Sequence, residues 1–329
     1  MVELERVRLF AVCGWRLSSK ASEVVQRINS PQPTKIRLRG LVAGGRLWFI
    51  VANIFAVEFD CALMAIWHNG ELGQTTFVDA TSAGVLLGWG VFSTVGIQNG
   101  RALWLDHHLR RLRRDARRCE IRIEFSDELL SDALRAVVRA NNVCNGLARL
   151  SVSRRDDGRW NTRNGSDFTI TALETAPLAT RDLRVATRRA PDLGPLAGIK
   201  TTSYLPYLWC WREAKEHGFD EAILLDACNR VVEAARSSVF WVRDGVLGTS
   251  PLSSGALDGV GREVVLEKAC HWNIETREEW MDGQDLASCD ELFLVSGANG
   301  PRSVKEIEKH QLTEYKPLFE RLHEWWHTL

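Results

Sequence analysis

The sequence predicts an α+β chain of two domains, and three observations carry that prediction. Turn pairs that tolerate positive φ, Asn69-Gly70, Asn99-Gly100, Asp157-Gly158 and Asp244-Gly245, each separate strand-like runs, as two-residue hairpins require. Between the hairpins lie capped segments with apolar residues at helical spacing. At 329 residues, the chain is long enough for two domains of ordinary size.

Residues 1–63 stand apart. They carry basic residues from Arg6 to Arg46, a Ser-Pro-Gln-Pro break at 30–33, and then an apolar run from Leu47 to Trp67. Glu58 and Asp60 interrupt that run, whose longest uncharged part is about ten residues, short of the ~20 that a spanning helix needs. No charged start followed by a small-residue cleavage site is present either. Residues 1–63 read as an atypical extension, either translated upstream sequence before a start at Met64 or an accessory segment.

A first strand and turn begin at Met64. Asp106 can cap a helix running to about Arg118 with Leu109, Leu112 and Ala116 on one face. Ser126 can cap another through Asn141, with Leu129, Leu130, Leu134 and Val137 or Val138 inward. A hairpin around Asp157-Gly158 joins Leu147–Ser153 to Phe168–Leu173 and closes a smaller domain over 64–174. Residues 175–180, with a proline and small residues, read as a linker.

The larger domain spans 181–329. It starts with a strand at Leu183–Thr187, followed by a helix from about Tyr204 to His217 and a strand at Ala222–Leu225. After the Asp244-Gly245 hairpin come a helix from Gly261 to His271 and a terminal helix with Leu318, Leu322, Trp325 and Leu329 at helical spacing.

Lysine plus arginine and aspartate plus glutamate number 42 each, so no net field draws the chain to nucleic acid or an anionic membrane. The eight cysteines form no Cys-x-x-Cys pair and there is no histidine cluster at zinc spacing, which points to a reducing, cytoplasmic setting and to no metal.

Four groups of residues could carry chemistry. Lys200 follows an apolar, glycine-containing approach, Leu193 to Ile199, and precedes Thr201-Thr202-Ser203. Desolvation there lowers an amine's pKa, as carbonyl chemistry requires, whereas an ordinary lysine is a surface charge. Glu233 opens a run of small residues and could equally be a helix-start or exposed turn carboxylate. Leu257 to Arg262 leads into a helix, so the N–H groups of Val260 and Gly261 would face an anion. Seven arginines between 101 and 118 read first as a solvated helix face.

Together these stretches resemble the class IV pyridoxal-phosphate enzymes, the fold type IV family of branched-chain and D-amino-acid aminotransferases and aminodeoxychorismate lyase. The resemblance covers roughly residues 64 to 329. It rests on Lys200 with Tyr204, on Glu233-Ala234-Ala235-Arg236-Ser237-Ser238, on Leu257-x-Gly259-Val260-x-Arg262, and on His108-Leu109-Arg110-Arg111-Leu112.

The resemblance implies an antiparallel-hairpin-rich small domain, a larger mixed α/β, barrel-like domain, and pyridoxal 5'-phosphate as cofactor, held there by Lys200 as a Schiff base. It assigns Glu233 to the ring nitrogen and Tyr204 to the phenolic oxygen, a position where an aromatic could equally be core. Arg111 goes to the phosphate, together with Val260, Gly261 and Ser296, and His107 and His108 are taken as structural. Gly261 stands where the family usually has threonine, a second threonine is missing near Ser296-Gly297-Ala298, and Ser238 replaces the usual asparagine.

Arg159, in a loop resembling the family's substrate loop, and Trp89, replacing a common aspartate, are candidates for substrate contact. A hairpin-tip charge and simple packing are their respective alternatives. The implied reaction is transamination between an amino acid and a keto acid by a homodimer. The alternatives are aminodeoxychorismate lysis to pyruvate and 4-aminobenzoate, or a catalytically silent binding protein.

Overall fold

The structure, a computed structural model, describes residues 38–43, 46–51, 55–59, 64–156, 165–175 and 182–328. Residues 1–63 and 64–329 cluster as separate units. In the first, β1 (Leu38–Ala43), β2 (Arg46–Val51) and β3 (Phe55–Phe59) form an antiparallel meander, so the apolar run near 50 is strand rather than helix. Among the described residues, no helix is long and apolar enough to cross a membrane.

The second unit contains two curled half-barrel sheets. The smaller has six strands in the order β5-β4-β9-β8-β6-β7, all neighbours antiparallel. These are β4 (Ile66–His68), β5 (Glu71–Gly73), β6 (Gly90–Gln98), β7 (Arg101–Ala102), β8 (Gly146–Arg154) and β9 (Ser166–Glu174). Asn69 and Asn99 take positive φ before their glycines, as the hairpin reading demands. The Asp157-Gly158 turn lies outside the described residues.

Helices α1 (Ala83–Leu86), α2 (Leu105–Arg118) and α3 (Asp127–Ala140) accompany this sheet. Leu109, Leu112 and Ala116 of α2 join Leu130, Leu134, Val137 and Val138 of α3 and alternate β8 residues Ala148, Leu150 and Val152 in one core. The 3.6-residue and two-residue periods meet there. Ser126 caps α3 by accepting from Leu129 N–H at 3.3 Å. Leu129 itself is exposed, which corrects its inward assignment: it occupies the first helical turn, before the apolar stripe begins. Asp106 is not the cap of α2. Trp104 holds that place at φ 54, its ring packed on Trp325 and Trp326, so tertiary aromatic packing fixes the helix entry instead of a side-chain cap.

The larger sheet has nine strands, ordered β12-β11-β10-β17-β16-β13-β14-β15 with β18 beside β17. They are β10 (Leu183–Arg189), β11 (Glu221–Leu225), β12 (Val231–Ala234), β13 (Ser238–Arg243), β14 (Val246–Thr249), β15 (Thr276–Glu278), β16 (Glu291–Ser296), β17 (Gly300–Ile307) and β18 (His310–Gln311). Three neighbour pairs are parallel, β10 with β11, β10 with β17, and β14 with β15. Helix α4 (Leu205–Glu216) makes the β10–β11 crossover, since parallel neighbours cannot be joined by a tight turn. Helices α5 (Val260–His271) and α6 (Pro317–His327) bury Val264, Val265, Leu322 and Trp326 against Phe240 and Phe293, whose rings stack at 5.5 Å.

Candidate active site

The stretch before α4 is tied to the smaller, six-stranded sheet along its backbone. Gly198 turns the chain at φ 73, where a side chain would be strained, and delivers Ile199 into the smaller sheet's core. Lys200 then donates its N–H to Asp115 of α2 at 3.1 Å, and its carbonyl accepts from Phe92 of β6 at 3.0 Å. Thr201 bridges Val91, and the Thr202 hydroxyl donates to Gly88 O at 2.7 Å. The Lys200 side chain is therefore aimed by backbone bonds on both sides.

Its Nζ lies 4.6 Å from the Phe92 ring centroid and 4.4 Å from that of Tyr204. Burial, then the charge of Arg111, brings its pKa down to about 7, against opposing pulls from Glu233 and Asp115. Such an amine is close to an even mixture of charged and neutral forms at neutral pH.

Glu233 is neither a helix start nor an exposed turn: it sits inside β12 and is 5% exposed. Tyr207 O–H donates to its Oε1 at 2.9 Å and Leu257 N–H to its Oε2 at 3.2 Å. Burial pushes its pKa up to about 7, with both donors pulling the other way. Tyr204 caps α4, stacks on Tyr207 at 4.9 Å, and donates its hydroxyl to Ala235 O at 2.8 Å. Burial and the Glu233 carboxylate push the Tyr204 phenol well above its ordinary range.

A second cluster forms where α2 meets α5. Ser93 Oγ lies 2.8 Å from His108 Nδ1 and accepts from Arg111 Nη2 at 2.7 Å. Arg111 is 7% exposed, and its Nε has no hydrogen-bond partner. Burial lowers its pKa, with Asp115 opposing. Gly261 is pressed so closely on the Ser296–Gly297 backbone that a Cβ there would lie 2.7 Å from Ser296 C and 2.9 Å from Gly297 N. A threonine could not occupy that position without moving one of the two segments. Ser296 Oγ accepts from Asn299 N–H at 3.1 Å, and His108 borders Gly297.

The structure thus gathers Lys200, Tyr204 and Glu233 in one group and Arg111, Val260, Gly261 and Ser296 in another, with α2 contributing Asp115 to the first and Arg111 to the second. Trp89 is turned toward packing: its indole N–H donates to Cys119 O at 2.8 Å, and Arg154 lies over its ring at 4.2 Å. Arg159 lies outside the described residues. Tyr207, Ser93 and Arg149 are not among the residues the sequence singles out. Arg149 has its guanidinium 3.5 Å over the Phe92 ring and pairs with no carboxylate among the described residues. The spacing of Tyr207, three residues after Tyr204 on one helix, was the available signal for it.

A buried lysine with a lowered pKa, coupled by charge to a buried carboxylate and to an arginine with an open Nε, is a set of groups that suits an anionic, carbonyl-bearing molecule. Residues 90–307 match the family described as amino-transferase class IV, and the chain belongs to that family, whose members use pyridoxal phosphate. It is 30% identical over 267 residues to the branched-chain-amino-acid aminotransferase of Salmonella typhimurium, covering 76% of this chain and 86% of that protein. It is also 28% identical over 263 residues to the D-alanine aminotransferase of Listeria monocytogenes, covering 75% and 89%. The structure matches the branched-chain aminotransferase of Thermoproteus uzoniensis, solved with norvaline, at a TM-score of 0.74 and 28% identity, covering 80% of this chain and 93% of that one.

Proposed function

We propose that this chain moves an amino group between an amino acid and a keto acid, with pyridoxal phosphate held at Lys200. The observation that carries this reading is Lys200 itself, whose pKa is brought to about 7 between two aromatic rings and which is coupled by charge to Arg111 and Glu233. The donor set fits the cofactor. An unpartnered, buried Arg111 Nε and the N–H groups opening α5 suit a phosphate, and a buried carboxylate suits a protonated ring nitrogen.

We assign the phosphate to Arg111, Val260, Gly261 and Ser296, and the ring nitrogen to Glu233. The phenolic oxygen goes to Tyr204, whose hydroxyl must give up its Ala235 acceptor for it. Arg149, over the Phe92 ring with no carboxylate partner among the described residues, receives a substrate carboxylate, and Arg159 stays a candidate for substrate contact from its sequence alone, whereas the packing of Trp89 on Cys119 and Arg154 argues against such a role for it.

When bound, the pyridoxal ring supplies an electron sink for the substrate α-carbon. The chain's residues do the rest. Lys200 Nζ takes the α-proton as general base and returns it as general acid, which a pKa near neutrality favours. Glu233, as an anion, keeps the proton on the ring nitrogen. Phe92 and Tyr204 shield Nζ from water, and Arg111 fixes the anionic end. Assembly as a homodimer belongs to the same proposal and is supported by Leu205 and Trp209, which are 68% and 55% exposed on α4.

Purified protein given pyridoxal phosphate should turn yellow, and borohydride should fix the cofactor's mass on the peptide carrying Lys200. A panel of amino donors with keto acids should give transamination, whereas release of an aromatic amine from aminodeoxychorismate would assign the lyase reaction instead. Protein that stays colourless with added cofactor would overturn both.

A further inference from the structure

Glu233 receives two hydrogen bonds, and they differ in kind. One comes from the Leu257 backbone, which any residue at 257 except proline would supply. The other comes from the Tyr207 side chain, and it depends on that residue. The ring of Tyr207 is stacked on Tyr204 with centroids 4.9 Å apart and planes at 21°, so its hydroxyl is aimed by packing before the carboxylate is engaged.

We propose that Tyr207 is a positioning residue for the reaction: its hydroxyl fixes the Glu233 carboxylate in orientation and in the ionised form that a protonated ring nitrogen needs. The proposal rests on the assignment of Glu233 given above. A buried carboxyl without donors would be neutral, and a neutral acid cannot hold a proton on the ring by charge. The titratable groups acting on Glu233 are Tyr207 from α4 and Lys200 from the preceding stretch. Tyr207 is the larger influence, ahead of Leu257 N–H. Burial first, and then the charge of Glu233, raise the Tyr204 and Tyr207 phenols, so the Tyr207 hydroxyl keeps the proton it donates.

The test is Tyr207→Phe in the full chain, which keeps the stacked ring and removes only the oxygen. In cofactor-free protein, isotope-edited infrared titration follows the Glu233 carboxyl stretch, identified by its loss in Glu233→Gln. The midpoint should move up by about one to two pH units, the range set by a hydrogen bond to a charged group. In the loaded enzyme the acid limb of kcat should move up by a similar amount, with KM for the amino donor nearly unchanged. Tyr207→Ala should show the same infrared shift with a lower melting temperature, which separates the hydroxyl from the packing of the ring. An unmoved Glu233 midpoint in Tyr207→Phe would overturn the proposal. Failure to take up pyridoxal phosphate would overturn the functional assignment instead, and is read independently of the infrared titration.

Discussion

Lys200→Ala should abolish the visible absorbance and lower turnover by at least about a hundredfold, since it removes the acid and base together. Circular dichroism should be unchanged, because the backbone bonds of residue 200 to Asp115 and Phe92 do not need its side chain. Glu233→Gln should keep the cofactor bound but slow turnover on the order of a hundredfold, with absorbance titration checking the first part and steady-state kinetics the second. Lys200, Glu233 and Arg111 were legible in the sequence because each is a charged type at a spacing the resemblance could recognise. Arg149 and Ser93 were not. Arg149 reaches Phe92 only because β8 pairs with β6, and Ser93 is one hydroxyl in a strand until α2 lays His108 and Arg111 on it.

Local signals place the five longer helices and the four strands they bound, β8 to β11, to within a residue or two, and err where tertiary packing decides. Ser126 caps α3 as its sequence says, and Ser126→Ala should cost about 1 kcal/mol in a denaturant melt. Trp104 overrules Asp106 because three indoles lock the helix entry, a contact between residues more than 200 positions apart that no local pattern announces. Which strands of the larger sheet pair in parallel is likewise not announced by hairpin turns, although the resemblance implies a mixed α/β domain there. Gly261 shows the converse. By resemblance it stands in place of a threonine, whereas the close approach of Ser296–Gly297 leaves no room for a side chain there. Gly261→Ala should destabilise by about 1–3 kcal/mol and weaken uptake of pyridoxal phosphate, measured by melting and by absorbance titration.

For the molecule as a whole, the site bears on stability. Glu233, raised to about 7 from an ordinary 4.5, favours folding at low pH and loses that contribution as pH rises from 4.5 through 7. Lys200, lowered from 10.5 to about 7, favours folding at high pH and loses that contribution as pH falls from 10.5 through 7. The cofactor-free protein should therefore show a local minimum in melting temperature near pH 7. That minimum should be largely removed in Lys200→Met/Glu233→Gln, as melts between pH 5 and pH 9 or so would reveal. Because every residue assigned to the cofactor lies within 64–329, a chain beginning at Met64 should take up cofactor with the affinity of the full one, checked by titrating the two side by side. We propose that the two sheets of the second unit mark domains at 64–174 and 181–329, joined by 175–180.

Arg111 does two things at once in this arrangement: its charge helps keep Lys200 partly neutral, and its open Nε invites an anion. Any small oxyanion settling against Arg111 cancels part of the field on the amine, lets Lys200 take up a proton, and so makes it a poorer nucleophile at neutral pH. Inorganic phosphate or sulfate in a buffer would then slow reconstitution twice over, by occupying the cradle and by quenching the lysine. The rate of colour development in phosphate should fall below that in a bulky zwitterionic buffer at equal pH and ionic strength, and the gap should narrow, to the part due to occupancy of the cradle, as the pH is raised.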